Sequence, residues 1–144
     1  MKHILIVVSK FYEDLAEELV KGAAAVLGDE ELTFDRVEVP GAFEIPAAIS
    51  FSMKSGRYHG YIALGCVIRG ETSHYDYVCA ESARGLNQLA IDQNLAIGYG
   101  ILTVENKDQA WERADVKKGN KGGMAAQTCI EMIKLKKHFS KGIL

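Results

Sequence analysis

Proline is nearly absent from the chain, with two residues in 144, so neither a proline-rich linker nor a polyproline segment can be placed. There is no low-complexity stretch and no block of like charge. Nor is there an internal repeat of roughly 20–50 residues, which excludes solenoids and propellers. Long apolar runs are missing too. The first run, ILIVV at residues 4–8, falls far below the ~20 residues of a membrane span and is too short for the core of a secretory signal. No membrane partner is expected. Neither sign of charge dominates: 17 Lys and Arg against 19 Asp and Glu leave −2, which argues against a nucleic-acid partner. The three cysteines, Cys66, Cys79 and Cys129, form no CxxC pair. An odd number of apolar-flanked thiols suits the reducing cytoplasm better than a disulfide framework. The four histidines never sit one helical turn apart, so no structural zinc site is expected.

What remains is the composition of a folded globular protein, 48% hydrophobic and 25% charged. Its 144 residues suit one domain over positions 1–144 and bury enough surface to need no metal or disulfide. Short β-branched runs alternate with longer segments of helical period. Residues 4–8 read as a strand buried on both faces. From Leu15 an apolar stripe through Leu19, Ala23 and Leu27 reads as a helix that Gly28 closes. Phe34, Val37 and Val39 mark a second strand ended by Pro40-Gly41. Pro46 opens a short helix over 47–54, and residues 61–67 form the third strand. A long helix should then bury Cys79, Ala83, Leu86 and Ala90. Residues 97–104 form the fourth strand and 108–114 a short helix. The last helix carries Ala126, Cys129, Ile130 and Ile133 at i, i+3, i+4 and i+7, with Trp111 and Met132 expected in the core. This alternation predicts an α/β three-layer sandwich, about four parallel strands with helices on both faces, in a flavodoxin-like layout.

In such a fold ligands bind at the carboxyl ends of the strands. Four segments should therefore converge: 9–12, 40–44, 67–74 and 99–103. The third, VIRGETSHYDYV at 67–78, leaves a buried strand, turns at Gly70 and enters a helix with Thr72 or Ser73 as N-cap. Asp76 stands where a short-armed capping box would place it. Backbone N–H groups at such a helix start attract an anion, phosphate above all. His74 in that first turn is either a proton relay near pH 7 or a solvent-facing histidine on a capped helix. GNKGG at 119–123 is either an anion nest holding Lys121 or a flexible turn before a helix. Phe11 either stacks on a flat ligand or plugs the fold. No dinucleotide loop, GxxxxGK[S/T] or GxSxG elbow occurs, and no cysteine stands beside a candidate base, so nucleophilic catalysis has little support.

With these segments in hand, the chain resembles the 6,7-dimethyl-8-ribityllumazine synthase family of riboflavin biosynthesis. The likeness runs from KFYEDL (10–15) through VPGAFEIP (39–46), ALGCVIRGETSHYDYV (63–78), GILTVEN (100–106) and ERADVKKGNKGG (112–123) to the final helix. The resemblance implies a transferase that condenses 5-amino-6-(D-ribitylamino)uracil with 3,4-dihydroxy-2-butanone 4-phosphate, releasing phosphate and water, without metal or cofactor. Phe11 matches the family's ring-stacking aromatic. Ala42, Phe43 and Glu44 match the stretch that holds the ribityl chain and pyrimidine, and Cys66, Val67 and Ile68 the strand end whose backbone reads the pyrimidine edge. Glu71 and Thr72 match the start of the phosphate-binding helix, and His74 the proton-transfer histidine. Tyr99 lies where a phenylalanine commonly closes the site from the neighbouring subunit. Arg113 matches the arginine that grips the butanone phosphate, with Lys121 matching a nearby lysine. The same resemblance implies a homopentamer or sixty-subunit icosahedral shell, sites shared between subunits, and association with riboflavin synthase.

The chain departs from the family pattern at four places: Tyr12 for the usual asparagine, Ala96 for a proline, Gly98 for a larger apolar residue, and Tyr99, which adds a hydroxyl. Two readings of other classes stand beside the enzyme: a non-catalytic flavin-binding module on the same layout, and a self-assembling structural shell.

Overall fold

The computed structural model describes residues 2–141. The elements follow the predicted alternation: β1 (His3–Ser9), α1 (Glu13–Asp29), β2 (Thr33–Val39), α2 (Ile45–Ser52), β3 (Gly60–Ile68), α3 (His74–Gln93), β4 (Ile97–Val104), α4 (Lys107–Ala114) and α5 (Lys121–Ser140). Single 3₁₀ turns, Ala42–Glu44 and Met53–Ser55, flank α2. The strands form one parallel sheet in the order β2-β1-β3-β4. The strand at 4–8 is buried throughout, as its unbroken apolar run requires. Alternate residues feed two separate cores. Ile4, Ile6, Val8, Ile62 and Leu64 pack with α1, α4 and α5; Leu5, Val7, Tyr61, Ala63 and Ile101 pack with α2 and α3. The three layers are therefore α1/α4/α5, the sheet, and α2/α3. β2, at an edge, leaves Phe34 and Val37 partly in solvent.

Local details correct four sequence expectations. Gly28 lies inside α1 and does not end it. Glu31, at φ 57°, takes the left-handed position, its N–H donating to Gly28 O at 3.0 Å while Leu32 N–H donates to Leu27 O at 2.9 Å, a Schellman ending that usually selects glycine. The buried stripe of α3 is Val78, Ser82 and Leu86; Ala83 points to solvent, so the helix is rotated by about one residue from the apolar pattern. Met132 is exposed on α5, while Trp111 packs partly buried against the core. The capping box is not formed either. Ser73 sits at the N-cap of α3 without a side-chain bond, and Thr72 Oγ1 instead accepts from His74 N–H at 3.3 Å.

The glycines of 119–123 serve packing. Asn120, at φ 46°, caps α5 by accepting from Gly123 N–H at 3.3 Å. A Cβ on Gly122 would lie 2.0 Å from Leu19 O, so only glycine lets α5 cross α1 this closely. A Cβ on Gly98 would lie 1.9 Å from Ala125 O, which explains why this edge strand carries no larger residue there.

Candidate active site

The strand order reverses between β1 and β3: the chain passes from β1 outward to β2, then returns across β1 to β3 and β4. A crevice opens at the carboxyl ends where parallel strands diverge in this way. A cavity of about 500 Å³ lies there. Ser9, Phe11 and Tyr12 reach it from the end of β1, and residues 40–44 from the turn after β2. Cys66, Val67 and Ile68 line it from the end of β3, and His74 and Val78 from the first turns of α3.

Each wall has a local cause. Ser9 Oγ accepts from Phe11 N–H at 3.4 Å, and Lys10 N–H donates to Val39 O at 3.1 Å, so the chain leaves the sheet in a fixed direction. Phe11 then stands 70% exposed, touching Tyr12 edge-on with ring centres 4.9 Å apart. An aromatic ring this exposed at a cavity mouth does not plug the fold, and its face is open to a ligand. Phe43 is likewise exposed beside Glu44, on the 3₁₀ turn whose Ala42 is buried in the lower core. Gly65 lets β3 pass close to Ser9, whose Cβ would lie 3.1 Å from an added methyl. The His74 ring is exposed and makes no hydrogen bond among the described residues, so both ring nitrogens can serve a ligand. Burial pushes the Cys66 thiol up to about 12, the nearby Cys79 adding to the effect. At neutral pH it is a packed thiol and not a nucleophile.

Of the sequence-predicted residues, the structure brings together Phe11, Ala42, Phe43, Glu44, Cys66, Val67, Ile68 and His74. Glu71 and Thr72 lie on the exposed loop just before α3, adjoining the cavity without lining it. Ser73 caps nothing, which leaves backbone donors at this helix start for an anion. Three residues are not brought in. Arg113 lies in the last turn of α4 in the opposite helical layer, its Nη1 donating to Gln109 O at 3.0 Å. Lys121 begins α5 in that layer. Segment 99–103 reaches the others only at its far end, where Thr103 pairs with Val67 of the cavity wall; no residue of it lines the cavity. Tyr99 pairs with Ala63, five residues before Ile68, which places it ~16 Å below the strand end at ~3.3 Å per residue. Burial nevertheless raises the Tyr99 phenol. Ser9, Tyr12, Pro40 and Gly41 line the cavity from within the segments 9–12 and 40–44 expected to converge, whereas Val78 lies one turn beyond the expected 67–74, where only its helical spacing from His74 signals it.

These features define a three-layer α/β protein with an aromatic-rimmed cavity at its switch point, an exposed histidine beside it and a buried thiol in its wall. Over residues 1–137 the chain matches the family described as 6,7-dimethyl-8-ribityllumazine synthase. It is similar to the 6,7-dimethyl-8-ribityllumazine synthase of Bartonella tribocorum, 53% identical over 95% of this chain and 91% of that protein. It is also similar to 6,7-dimethyl-8-ribityllumazine synthase 1 of Rhizobium meliloti, 51% identical over 93% and 91%. The enzyme of the same name from Sphingopyxis alaskensis is 49% identical over 99% of this chain and 100% of its own length. The chain belongs to the 6,7-dimethyl-8-ribityllumazine synthase family.

Proposed function

We propose that the chain, as one lumazine-synthase-like domain over 1–144, condenses 5-amino-6-(D-ribitylamino)uracil with 3,4-dihydroxy-2-butanone 4-phosphate. The products are 6,7-dimethyl-8-ribityllumazine, phosphate and water. The observation that carries the reading is the cavity between β1 and β3, where Phe11, the 42–44 turn, the end of β3 and His74 meet. Phe11 stacks on the pyrimidine, the backbone of Cys66–Ile68 reads its edge, and Ala42, Phe43 and Glu44 hold the ribityl chain. The start of α3 with Glu71 and Thr72 receives the phosphate, and His74 passes protons during imine formation, phosphate loss and ring closure. Alignment of two substrates can supply ~7–11 kcal/mol of a barrier, whereas one acid/base group supplies ~10²–10⁴-fold. Orientation therefore dominates, with His74 assisting.

Among the described lining residues there is no lysine or arginine. A phosphate dianion held by a helix start alone would be weakly bound; Lys107 of the same chain stands near the rim, its Nζ 5.7 Å from the centre of the Tyr12 ring, and a neighbouring subunit supplies further cations. Arg113, Lys121 and Tyr99, all outside this cavity, are the groups it would donate. The α2/α3 layer supports the neighbour's docking: Phe51 is 76% and Ile91 66% exposed. A groove of about 280 Å³ runs between Pro46 and Ala47 of α2 and Gly85 and Leu89 of α3. A ring of such heterologous contacts is the homopentamer, which a sixty-subunit icosahedral shell would repeat. Riboflavin synthase is the expected associate, and the cytoplasm the expected compartment.

The test is condensation by the purified protein, read by the fluorescence of the lumazine. Product should form from both substrates together and from neither alone; folded protein that forms none overturns the assignment.

A further inference from the structure

Arg69 follows β3 directly and lies outside the cavity lining. Its backbone N–H donates to Val104 O at 2.9 Å, continuing the ladder with β4. Its guanidinium is shared among three groups. Nε donates to both oxygens of Glu105 at 3.1 Å, and Nη1 reaches Asp76 Oδ1 at 3.3 Å. The guanidinium carbon stands 4.3 Å from the centre of the Tyr75 ring. Glu105 directly follows β4, whereas Tyr75 and Asp76 are the two residues after His74 in the first turn of α3. One side chain thus ties the residues that follow two strands to the turn that carries the imidazole.

The rest of the turn is held by backbone bonds, Asp76 and Tyr77 N–H donating to Ser73 O at 3.0 and 3.4 Å, and by the Tyr75 phenol beside Thr103 and Cys79. None of these grips the turn from beyond the end of β4 as Arg69 does through Glu105. Ser73 does not cap it, Asp76 is spent on Arg69, and Thr72 Oγ1 gives the one side-chain bond to its backbone, at 3.3 Å. The tie is also poorly placed to stabilise the fold as a whole. The Arg69 side chain is 41% exposed and its carboxylate partners more so, and exposed ion pairs contribute little to global stability. A planar fork engaged by two carboxylates and stacked on a ring does, however, restrict orientation strongly. A catalytic group displaced by about 1 Å can lose much of its rate.

We propose that Arg69 is a positioning residue for the condensation: it sets the angle of the first turn of α3 and, through it, the direction of the His74 imidazole. The proposal rests on His74 acting as the proton relay. Arg69 does not bind phosphate, because its charge is already met by Glu105 and Asp76.

The experiment uses the full chain with Arg69→Ala and Arg69→Lys, each alone and combined with His74→Ala, measuring kcat and both KM values. Arg69→Ala should lower kcat by about 5- to 20-fold, with KM for the pyrimidine within about twofold and Tm nearly unchanged. Arg69→Lys should recover part of that loss, since an ammonium can meet one carboxylate but cannot fork or stack. In the His74→Ala background, Arg69→Ala should change kcat by less than about twofold, because the two act as one unit. A full, additive loss in that background overturns the proposal, as does an unchanged kcat in Arg69→Ala alone. A raised KM for the butanone phosphate at constant kcat makes Arg69 a phosphate ligand and overturns it too. If His74→Ala itself leaves kcat unchanged, the relay reading falls and takes this proposal with it. A slow His74→Ala beside a fast Arg69→Ala removes the Arg69 proposal alone.

Discussion

Truncating Phe11 to alanine separates a stacking surface from a structural plug. Phe11 is 70% exposed and its one aromatic contact is the edge-on Tyr12 ring at 4.9 Å. Little apolar area leaves water on folding, so removal should cost well under ~1 kcal/mol of stability. For the ligand the balance is different. Stacking of a flat heterocycle on an aromatic ring is worth ~1–3 kcal/mol per ring by alanine substitution. At 1.4 kcal/mol per tenfold, that is a loss of about 5- to 150-fold in affinity. Phe11→Ala should therefore raise the KM for the pyrimidine, and the Kd of an unreactive pyrimidine analogue measured by calorimetry, by a factor in that range. KM for the butanone phosphate should change little, and the melting temperature should stay within about 2 °C. An unchanged pyrimidine Kd would remove Phe11 from the site. A melting temperature lowered by ten degrees with both substrates equally weakened would show that the ring supports the fold instead.

Two further expectations concern assembly and packing. His74→Ala and Arg113→Ala, each poorly active alone, should complement when co-expressed: about a quarter of the sites in a randomly mixed ring would draw both intact halves from different variants, whereas activity at the level of the separate variants, in assemblies shown by native mass to be mixed, would refute the shared site. Gly98→Ala would set a methyl 1.9 Å from Ala125 O and force α5 off the sheet, at a cost of ~1–3 kcal/mol or about 3–10 °C in melting temperature; an unchanged melt would show that α5 retreats freely.

Glu105 and Asp76 show how far apart in sequence the groups of one small network can lie: both meet at Arg69, and no periodicity links them. By contrast, the unbroken apolar run at 4–8 and the i, i+3, i+4, i+7 stripe from Ala126 to Ile133 fixed β1 and α5 by themselves. Strand and helix periods are local properties that any sufficiently buried neighbour will satisfy. Their alternation determined the α/β class, and the motif VIRGETSHYDYV already marked a strand running into a helix start that bears His74. Tertiary structure alone decided which of these pieces meet. The order β2-β1-β3-β4 puts the switch point beside Phe11 and the end of β3, and the register Ala63 to Tyr99 lowers Tyr99 out of reach. The rotation of α3 buries Val78, Ser82 and Leu86 in place of Ala83, because packing against α2 and the sheet outweighs a weakly amphipathic pattern. Glu31 occupies the left-handed end of α1, since the strain of one residue is small beside the pairing gained when Thr33–Val39 joins β1 at the edge of the sheet. Short-range pattern specifies what each segment is, whereas long-range pairing and close backbone approach specify where it goes, and the site exists only where both agree.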